Sequence, residues 1–310
     1  MLKDVAAMVF SQDFLGSSIR LATPLLIAGM GGVFSERSGV LFLGMEGFML
    51  IGALFGFVGS HFAGPLIGIL LAVGVSMIIS LIYAFSTVTL SVNQVVVSVA
   101  INILALGLTS SLFRIIFGTS TNQLDAAKLM PLHIPLLSQI PVIGVFFQQT
   151  LFTYIGYLLV PAAYLIFFKT EWGLKIRAVG ENPKAAETMG VNVFRIRYIS
   201  ILWAGAFGAI AGASQTIGDL GLFVDNMIAG KGFIVFAAII LGRFHPIGTL
   251  ITVFFFGIVD AFQLNLQAMG SEIPYQFPLM MPYVLTLIAF LIAGSGVAPK
   301  SWGVPYEGEE

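Results

Sequence analysis

Hydrophobic residues form long uninterrupted runs along this chain, and the charged residues are collected between them. Four stretches of more than 20 residues contain no Asp, Glu, Lys or Arg. They are 67, 40, 21 and 27 residues long and cover 47–113, 129–168, 198–218 and 273–299. A membrane-spanning helix needs about 20 mainly apolar residues, so the longest stretch alone has room for more than two. The runs are continuous and lack the alternation of barrel strands, which indicates helices.

The run lengths predict an all-α polytopic membrane protein with about nine transmembrane helices. Because every backbone amide in hydrocarbon must be paired within the protein, helices are the structure that such runs favour. We expect a single transmembrane domain over residues 1–310. The helices are placed at 17–34, 40–60, 64–88, 95–117, 150–168, 197–218, 230–243, 246–265 and 277–296.

Composition agrees with this assignment and excludes several classes of function. Of the 310 residues, 58% are hydrophobic and only 9% are charged, whereas soluble domains have about 25% charged residues. The 14 Lys and Arg balance 15 Asp and Glu, so nothing favours a nucleic-acid partner. There is no cysteine, which excludes disulfides, thiolate metal sites and cysteine nucleophiles.

Two long polar segments separate the runs and set the predicted orientation. Residues 118–149 form an external loop, with three prolines among apolar residues. Residues 170–197 form a cytoplasmic loop, because six of the 14 cations lie at 169–197 and positive loops stay inside. Five spans precede this loop, which places the N-terminus outside and the C-terminus in the cytoplasm.

Two further segments interrupt the helical pattern and suggest a repeat. Residues 36–47 contain three glycines and two acids where a span should start, and the apolar part of 226–246 is too short to cross the membrane untilted. Both contain Gly-Phe followed by apolar residues and then a proline. By the predicted topology the two segments enter the membrane from opposite sides. This indicates broken or re-entrant helices in a weak inverted repeat.

Small residues recur at four-residue spacing within the runs. Gly52 and Gly56 form one such pair, and Gly208 and Gly212 form another. This spacing lets helix backbones approach closely, so we interpret these glycines as packing contacts.

Signatures of catalysis are missing from the sequence. It contains no GxxxxGK[ST], no HExxH and no GxSxG motif, so we predict neither an ATPase site nor an enzyme. The three histidines, His61, His133 and His245, are dispersed, and no metal site is expected.

A few polar groups within the spans are candidates for a solute path. The ionisable ones are Glu46, Arg114 and Asp260, and such groups usually face a cavity or a partner. Interhelical hydrogen bonding explains each polar residue equally well. Because the acids are isolated rather than in a row, a proton or sodium pump is disfavoured and the energy should come from elsewhere. The candidate path residues are Glu46, Asn93, Gln94, Asn102, Gln215 and Asn226.

The cytoplasmic loop contains a short predicted helix. Asn182 and Pro183 should start it, since proline is tolerated in the first helical turn, and Gly190 should end it. From the residues alone, a docking element and a simple connector are both open.

Three segments carry a resemblance to a known family. They are TPLLIAGMGGVFSERSGVLFLGMEGFMLIGA, WGLKIRAVGENPKAAETMGVNV and GKGFIVFAAIILGRFHPIGT. In this order they resemble permease subunits of bacterial ABC importers, in the branch for branched-chain amino acids, ribose-type sugars and nucleosides. The nucleoside-type permeases are the most similar group. The sequence departs from that group at Leu41, Phe42 and Leu43, where nucleoside-type permeases usually have a more polar stretch.

The resemblance implies an inner-membrane permease that imports a nucleoside, of purine type, or a related heterocycle. The implied partners are an ABC ATPase subunit that binds the ATP and Mg, an external substrate-binding lipoprotein, and a second, related permease chain in a heterodimer. No cofactor is expected in this chain. A sugar or flavin permease, an ion-coupled secondary transporter and a non-transporting scaffold are the alternatives. The residues implied to contact the ATPase are Glu181, Asn182, Pro183, Lys184, Ala185, Ala186, Glu187, Thr188 and Gly190.

Overall fold

The computed structural model describes residues 11–118, 126–268 without 134, 136, 137, 139, 141 and 142, and 298–306, with isolated positions between 276 and 291. A two-stranded antiparallel pair, β1 (Leu132–His133) and β2 (Gln148–Gln149), lies in the described part of the loop after the fourth helix. The α-helices are α1 (Gln12–Arg37), α2 (Met45–Ala63), α3 (Pro65–Ala84), α4 (Gln94–Phe117), α5 (Leu151–Lys169), α6 (Glu171–Glu181), α7 (Pro183–Thr188), α8 (Val193–Ala213), α9 (Lys231–Leu241) and α10 (Pro246–Ala268).

The observed helices confirm the helical membrane fold. Seven segments of the described chain are long and apolar enough to span a membrane, and α9 is a shorter apolar helix. These eight coincide with the first eight predicted helices. Two of the spans are α3 and α8, each extended by a π-helical segment, Phe85–Thr89 and Ser214–Leu220. Most of the ninth predicted helix, 277–296, lies outside the described residues.

The helices run between two faces of the molecule. On one, which we call the loop face, the Ser60 hydroxyl at the end of α2 donates to the carbonyl of Ala127 (2.7 Å). On the other, the α7 face, the Arg37 guanidinium at the end of α1 donates to the carbonyl of Phe244 (2.7 Å). The α7 face also carries α6, α7 and the C-terminal segment 298–306.

Three helices form the centre of the bundle. Of the most apolar stretches in α1, α2 and α8, 83%, 78% and 72% of residues are buried, against 28% and 22% in α3 and α4. The predicted glycine packing is confirmed where α2 crosses α8. A Cβ at Gly52 would overlap the Ala209 backbone, and one at Gly212 would overlap the Met49 carbonyl.

The topology has the arrangement of an inverted repeat. Helix α1 packs against α8 and α10, and α8 packs against α1 and α3, so exchanging α1–α3 with α8–α10 preserves the contacts. The exchanged helices run in opposite directions. Helix α1 leads from the loop face to the α7 face, and α8 leads back. This is the arrangement that transport paths between inverted halves share.

Candidate translocation site

The two interrupted segments meet at the carboxylate of Glu46, which is the second residue of α2. Its two oxygens accept hydrogen bonds from the backbone amides of Gly230 (2.8 Å) and Gly232 (2.7 Å), at the start of α9. The first amides of a helix have no partner within the helix and carry partial positive charge, so a carboxylate satisfies both needs. We call this contact the Glu46 junction. A Cβ at Gly232 would overlap Glu46, so only glycine permits this approach.

The Glu46 junction lies about half-way through the bundle. Helix α9 has 11 residues, which corresponds to about 16 Å at 1.5 Å per residue. It ends at the α7 face, next to Phe244. Since the hydrocarbon core is about 30 Å thick, the start of α9 lies near its middle. From there α2 leads to the loop face and α9 to the α7 face.

A polar cavity of about 350 Å³ extends from the junction toward the loop face. It lies between α1, the π-helical end of α8, the start of α9 and the last turns of α10. Its lining combines charged, amide and apolar side chains. The lining residues are Ser17, Arg20, Leu21, Pro24, Gln215, Asp219, Leu220, Lys231 and Leu264.

Charged groups of both signs lie around the cavity. The Lys231 ammonium donates to the Gln215 side-chain oxygen (3.1 Å). Asp219, Asp260 and Glu46 also act on Lys231 electrostatically. Arg20 and Lys128 act in the same way on Asp219. Three cations and three carboxylates therefore lie in or beside the cavity, and its lining carries both signs of charge. The residues are Arg20, Lys128, Lys231, Glu46, Asp219 and Asp260.

The predicted path residues fall into two groups in the structure. Gln215 lines the cavity and Glu46 forms the junction beside it. Asn102 instead holds the segment before α2, because its side-chain oxygen accepts from the Gly47 amide (2.9 Å) and its nitrogen donates to the Leu43 carbonyl (3.0 Å). Its role in a solute path stays a prediction.

The other three path candidates lie away from the cavity. The Gln94 side-chain oxygen accepts from the Leu41 amide (2.7 Å), also on the segment before α2. The Asn93 side chain caps α4 by accepting from the amide of Val95 (3.0 Å). Asn226 adopts a left-handed backbone conformation, φ 57°, in the turn before α9. Asn93 thus caps α4, and Gln94 holds the segment before α2. A role in a solute path stays a prediction for all three residues.

Sequence reasoning missed three charged residues of the cavity. Arg20, Asp219 and Lys231 line it, but none of them was among the candidate path residues. Arg114 was expected within a span, and it lies in the last turn of the α4 span, away from the cavity lining. It pairs there with Asp225 (3.3 Å), with both side chains well exposed.

The predicted short helix is present on the α7 face with the expected boundaries. The Asn182 side chain accepts from the Ala185 amide (3.1 Å) and caps α7, and Gly190 follows it at φ 82°. Ala186 is buried and fixes one side of α7, while Pro183 and Glu187 are half-buried. The exposed members of the predicted docking set are Glu181, Asn182, Lys184, Ala185, Thr188 and Gly190.

The C-terminal segment 298–306 connects α7 with the turn after α1. At one end the Tyr306 hydroxyl donates to the Glu187 carboxylate of α7. At the other, the Trp302 indole donates to the buried carboxylate of Glu36, whose second oxygen accepts from the Phe42 amide (2.8 Å). The segment therefore bridges α7 and the chain that leads into α2.

Arg197 corrects one detail of the sequence analysis. It was counted among the cations of the cytoplasmic loop, yet it lies inside α8 and is fully buried. Its guanidinium donates to the Val304 carbonyl (3.3 Å) and lies 5.8 Å from the centre of the Tyr306 ring. A cation at the edge of a predicted span is thus part of the attachment of the C-terminal segment.

Inverted halves, a polar cavity at mid-membrane and an ordered helix pair on one face define a membrane-spanning transport subunit. No cluster of His, Asp and Glu suited to a metal ion occurs among the described residues. The chain belongs to the family described as branched-chain amino acid transport system / permease component, which matches residues 14–293. It is therefore the permease component of an ABC transporter and a multi-pass membrane protein.

Relatives whose names state a solute match over nearly their whole length. The guanosine ABC transporter permease protein NupQ of Bacillus subtilis (strain 168) is 39% identical, over 92% of this chain and 93% of its own. The nucleoside ABC transporter permease protein NupC of Lactococcus lactis subsp. cremoris (strain MG1363) is 36% identical, over 95% and 96%. The putative glucose ABC transporter permease protein TsgC13 of Haloferax volcanii is 34% identical, over 91% and 87%. No solved structure matches the chain.

Proposed function

We propose that this chain forms the translocation path of an ATP-driven importer for a nucleoside, of purine type, or a related heterocycle. The observation that carries the proposal is the pairing of a cavity lined by charges of both signs, near mid-membrane, with an ordered, exposed helix α7 on one face. Such a cavity suits an uncharged solute that offers both hydrogen-bond donors and acceptors. The similarity to NupQ and NupC supports a nucleoside.

In the proposed orientation the α7 face lies in the cytoplasm of a bacterial inner membrane. The positive-inside rule supports this, because Lys169, Lys175, Arg177, Lys184 and Arg195 lie on or beside α6 and α7. The loop face, where the cavity opens, is then external and receives solute from a binding lipoprotein. The N-terminus is external and the C-terminus cytoplasmic.

Helix α7 is the proposed contact with the partner ATPase, which binds ATP and Mg. Its exposed side chains project from the bundle, while Ala186 and the Tyr306–Glu187 hydrogen bond hold it in place. A docking helix must transmit movement, so it needs such attachment. We include the whole segment Glu181–Gly190 without Met189 in this contact, as the sequence analysis did.

The transport proposal is tested by reconstitution. Proteoliposomes should contain this permease, its second permease chain, the ATPase and the lipoprotein. Guanosine uptake should require ATP and should stop when the ATPase is catalytically inactive. Uptake that persists with the inactive ATPase, and that ionophores abolish, would establish an ion-coupled transporter instead.

The sugar alternative has its own support in TsgC13, and the same vesicles decide between the two. Guanosine and glucose are offered at equal concentration with the cognate lipoprotein. Preferential uptake of glucose would refute the nucleoside assignment and keep the ATP-driven mechanism.

The docking contact is tested by reversing one charge. Lys184→Glu changes an exposed residue of α7, and Lys175→Glu is the matched control on the neighbouring α6, where Lys175 is also exposed. We expect Lys184→Glu to reduce ATPase recovery in co-purification at least tenfold, and the control to retain it. Equal recovery with both variants would contradict the assignment of α7.

A further inference from the structure

The cavity beside the Glu46 junction contains a buried hydrogen-bond donor without a partner. Gln215 is 5% exposed and lines the cavity. Its side-chain oxygen accepts from Lys231 (3.1 Å), while its side-chain nitrogen has no hydrogen-bond partner in the described part of the chain. Buried polar atoms are nearly always paired in native proteins. An unpaired amide at the wall of a polar cavity therefore indicates that a ligand supplies the acceptor.

The other polar groups at the cavity define the chemistry of that ligand. Arg20 and Lys231 offer donors, and Asp219 offers two acceptor oxygens. A guanidinium pairs well with two adjacent acceptors on a purine, and a carboxylate accepts from N–H groups on a base. Leu21, Pro24 and Leu264 supply apolar surface for the flat base.

Size and charge narrow the choice further. A volume of about 350 Å³ lies at the lower end of the range of about 300–1,000 Å³ for small-molecule sites. A cavity of this volume can hold one small solute. Charges of both signs in the lining suit a ligand that is uncharged overall and that both donates and accepts hydrogen bonds.

We infer that this cavity is the solute-binding site of the permease, and that Gln215, Asp219 and Arg20 contact the base of an uncharged nucleoside. The inference rests on the proposed transport function. It adds the location of the site, its contacting residues and its class of ligand.

The natural absence of cysteine allows a direct test. Ser17→Cys places one thiol at the cavity, where the serine hydroxyl otherwise bonds only within α1 to Phe14 (2.9 Å). Ser138→Cys is the matched control, in the external loop and outside the cavity lining. The assembled complex in vesicles is treated with a membrane-impermeant maleimide, and labelling of the permease is measured at rising guanosine concentration.

Guanosine should slow labelling of Ser17→Cys at least fivefold and leave Ser138→Cys unchanged. Leucine and glucose should protect neither. Absence of protection while the same vesicles transport guanosine would overturn the site and leave the proposed function intact. Protection by leucine or glucose instead of guanosine would overturn the ligand class. Complete vesicles that move no solute would overturn the proposed function itself.

A second variant tests the contact made by Gln215. Gln215→Leu, in the Ser17→Cys background, removes the unpaired amide at similar size. We expect half-protection to need at least ten times more guanosine, with unchanged co-purification of the ATPase as evidence of correct folding. An unchanged half-protection concentration would exclude Gln215 from the site.

Discussion

Removing the Glu46 carboxylate should destabilise the protein strongly, because it would leave two backbone amides of α9 without partners near mid-membrane. Each bond to a charged group contributes about 1.5–3 kcal/mol, and a buried unpaired donor costs a similar amount. The two bonds, of 2.8 and 2.7 Å, therefore predict a loss of about 3–6 kcal/mol in the free energy of unfolding for Glu46→Ala. Glu46→Gln keeps one acceptor oxygen and should lose about half as much.

The assay is unfolding by SDS in dodecyl maltoside micelles, followed by circular dichroism. Glu171→Gln is the matched control, because the Glu171 side chain is 92% exposed and its change should stay within about 0.5 kcal/mol. The free energy of unfolding should decrease in the order wild type, Glu46→Gln, Glu46→Ala. This order is a stricter test than any single value. If the free energy of unfolding of Glu46→Ala lies within about 1 kcal/mol of the wild-type value, water or another group satisfies these amides. The Glu46 junction would then not be a major source of stability.

Two further predictions concern packing and surface charge. Gly212→Ala should lower the free energy of unfolding by about 1–3 kcal/mol, because the new Cβ overlaps the Met49 carbonyl. Gly74→Ala is the control, since nothing lies within 4 Å of its added Cβ. It should be neutral or stabilising by up to about 1 kcal/mol. The same unfolding assay compares them, and equal effects would contradict the close crossing of α2 and α8. Breaking the exposed Arg114–Asp225 pair with Arg114→Gln should change stability by less than about 1 kcal/mol; a larger loss would show that the pair is shielded from water.

The helices could be predicted because their apolar runs are long and the charges between them are few. One helix was not predicted. Residues Glu171–Glu181 form α6, within the segment that was expected only as part of the cytoplasmic loop. Gly173 and Gly180 argue against a helix by propensity, yet packing requires both. A Cβ at Gly173 would overlap the end of α5, and one at Gly180 would overlap the Arg37 carbonyl.

The buried charges could not be predicted, because their partners are distant in sequence. Glu36 and Trp302 are 266 residues apart, and Arg197 and Val304 are 107 apart. Periodicity describes one helix at a time and contains no information about such pairs. Glu46 was selected correctly as an unusual residue, but its bonds to the start of α9 depend on two glycines 184 and 186 residues later.

The buried contacts restrict how the transporter can move. Separating α2 from α9 would break the Glu46 junction and leave two backbone amides without partners near mid-membrane, at a cost of about 3–6 kcal/mol. Hydrogen bonds also attach both sides of the junction toward the α7 face. The chain after α9 is held by the bond between Phe244 and Arg37. The chain before α2 is held at Phe42 by Glu36, which also bonds Trp302. Movement that keeps this unit intact avoids the cost. We therefore expect the cavity to open and close by displacement of its other walls, α1 near Arg20 and the last turns of α10, against a fixed junction.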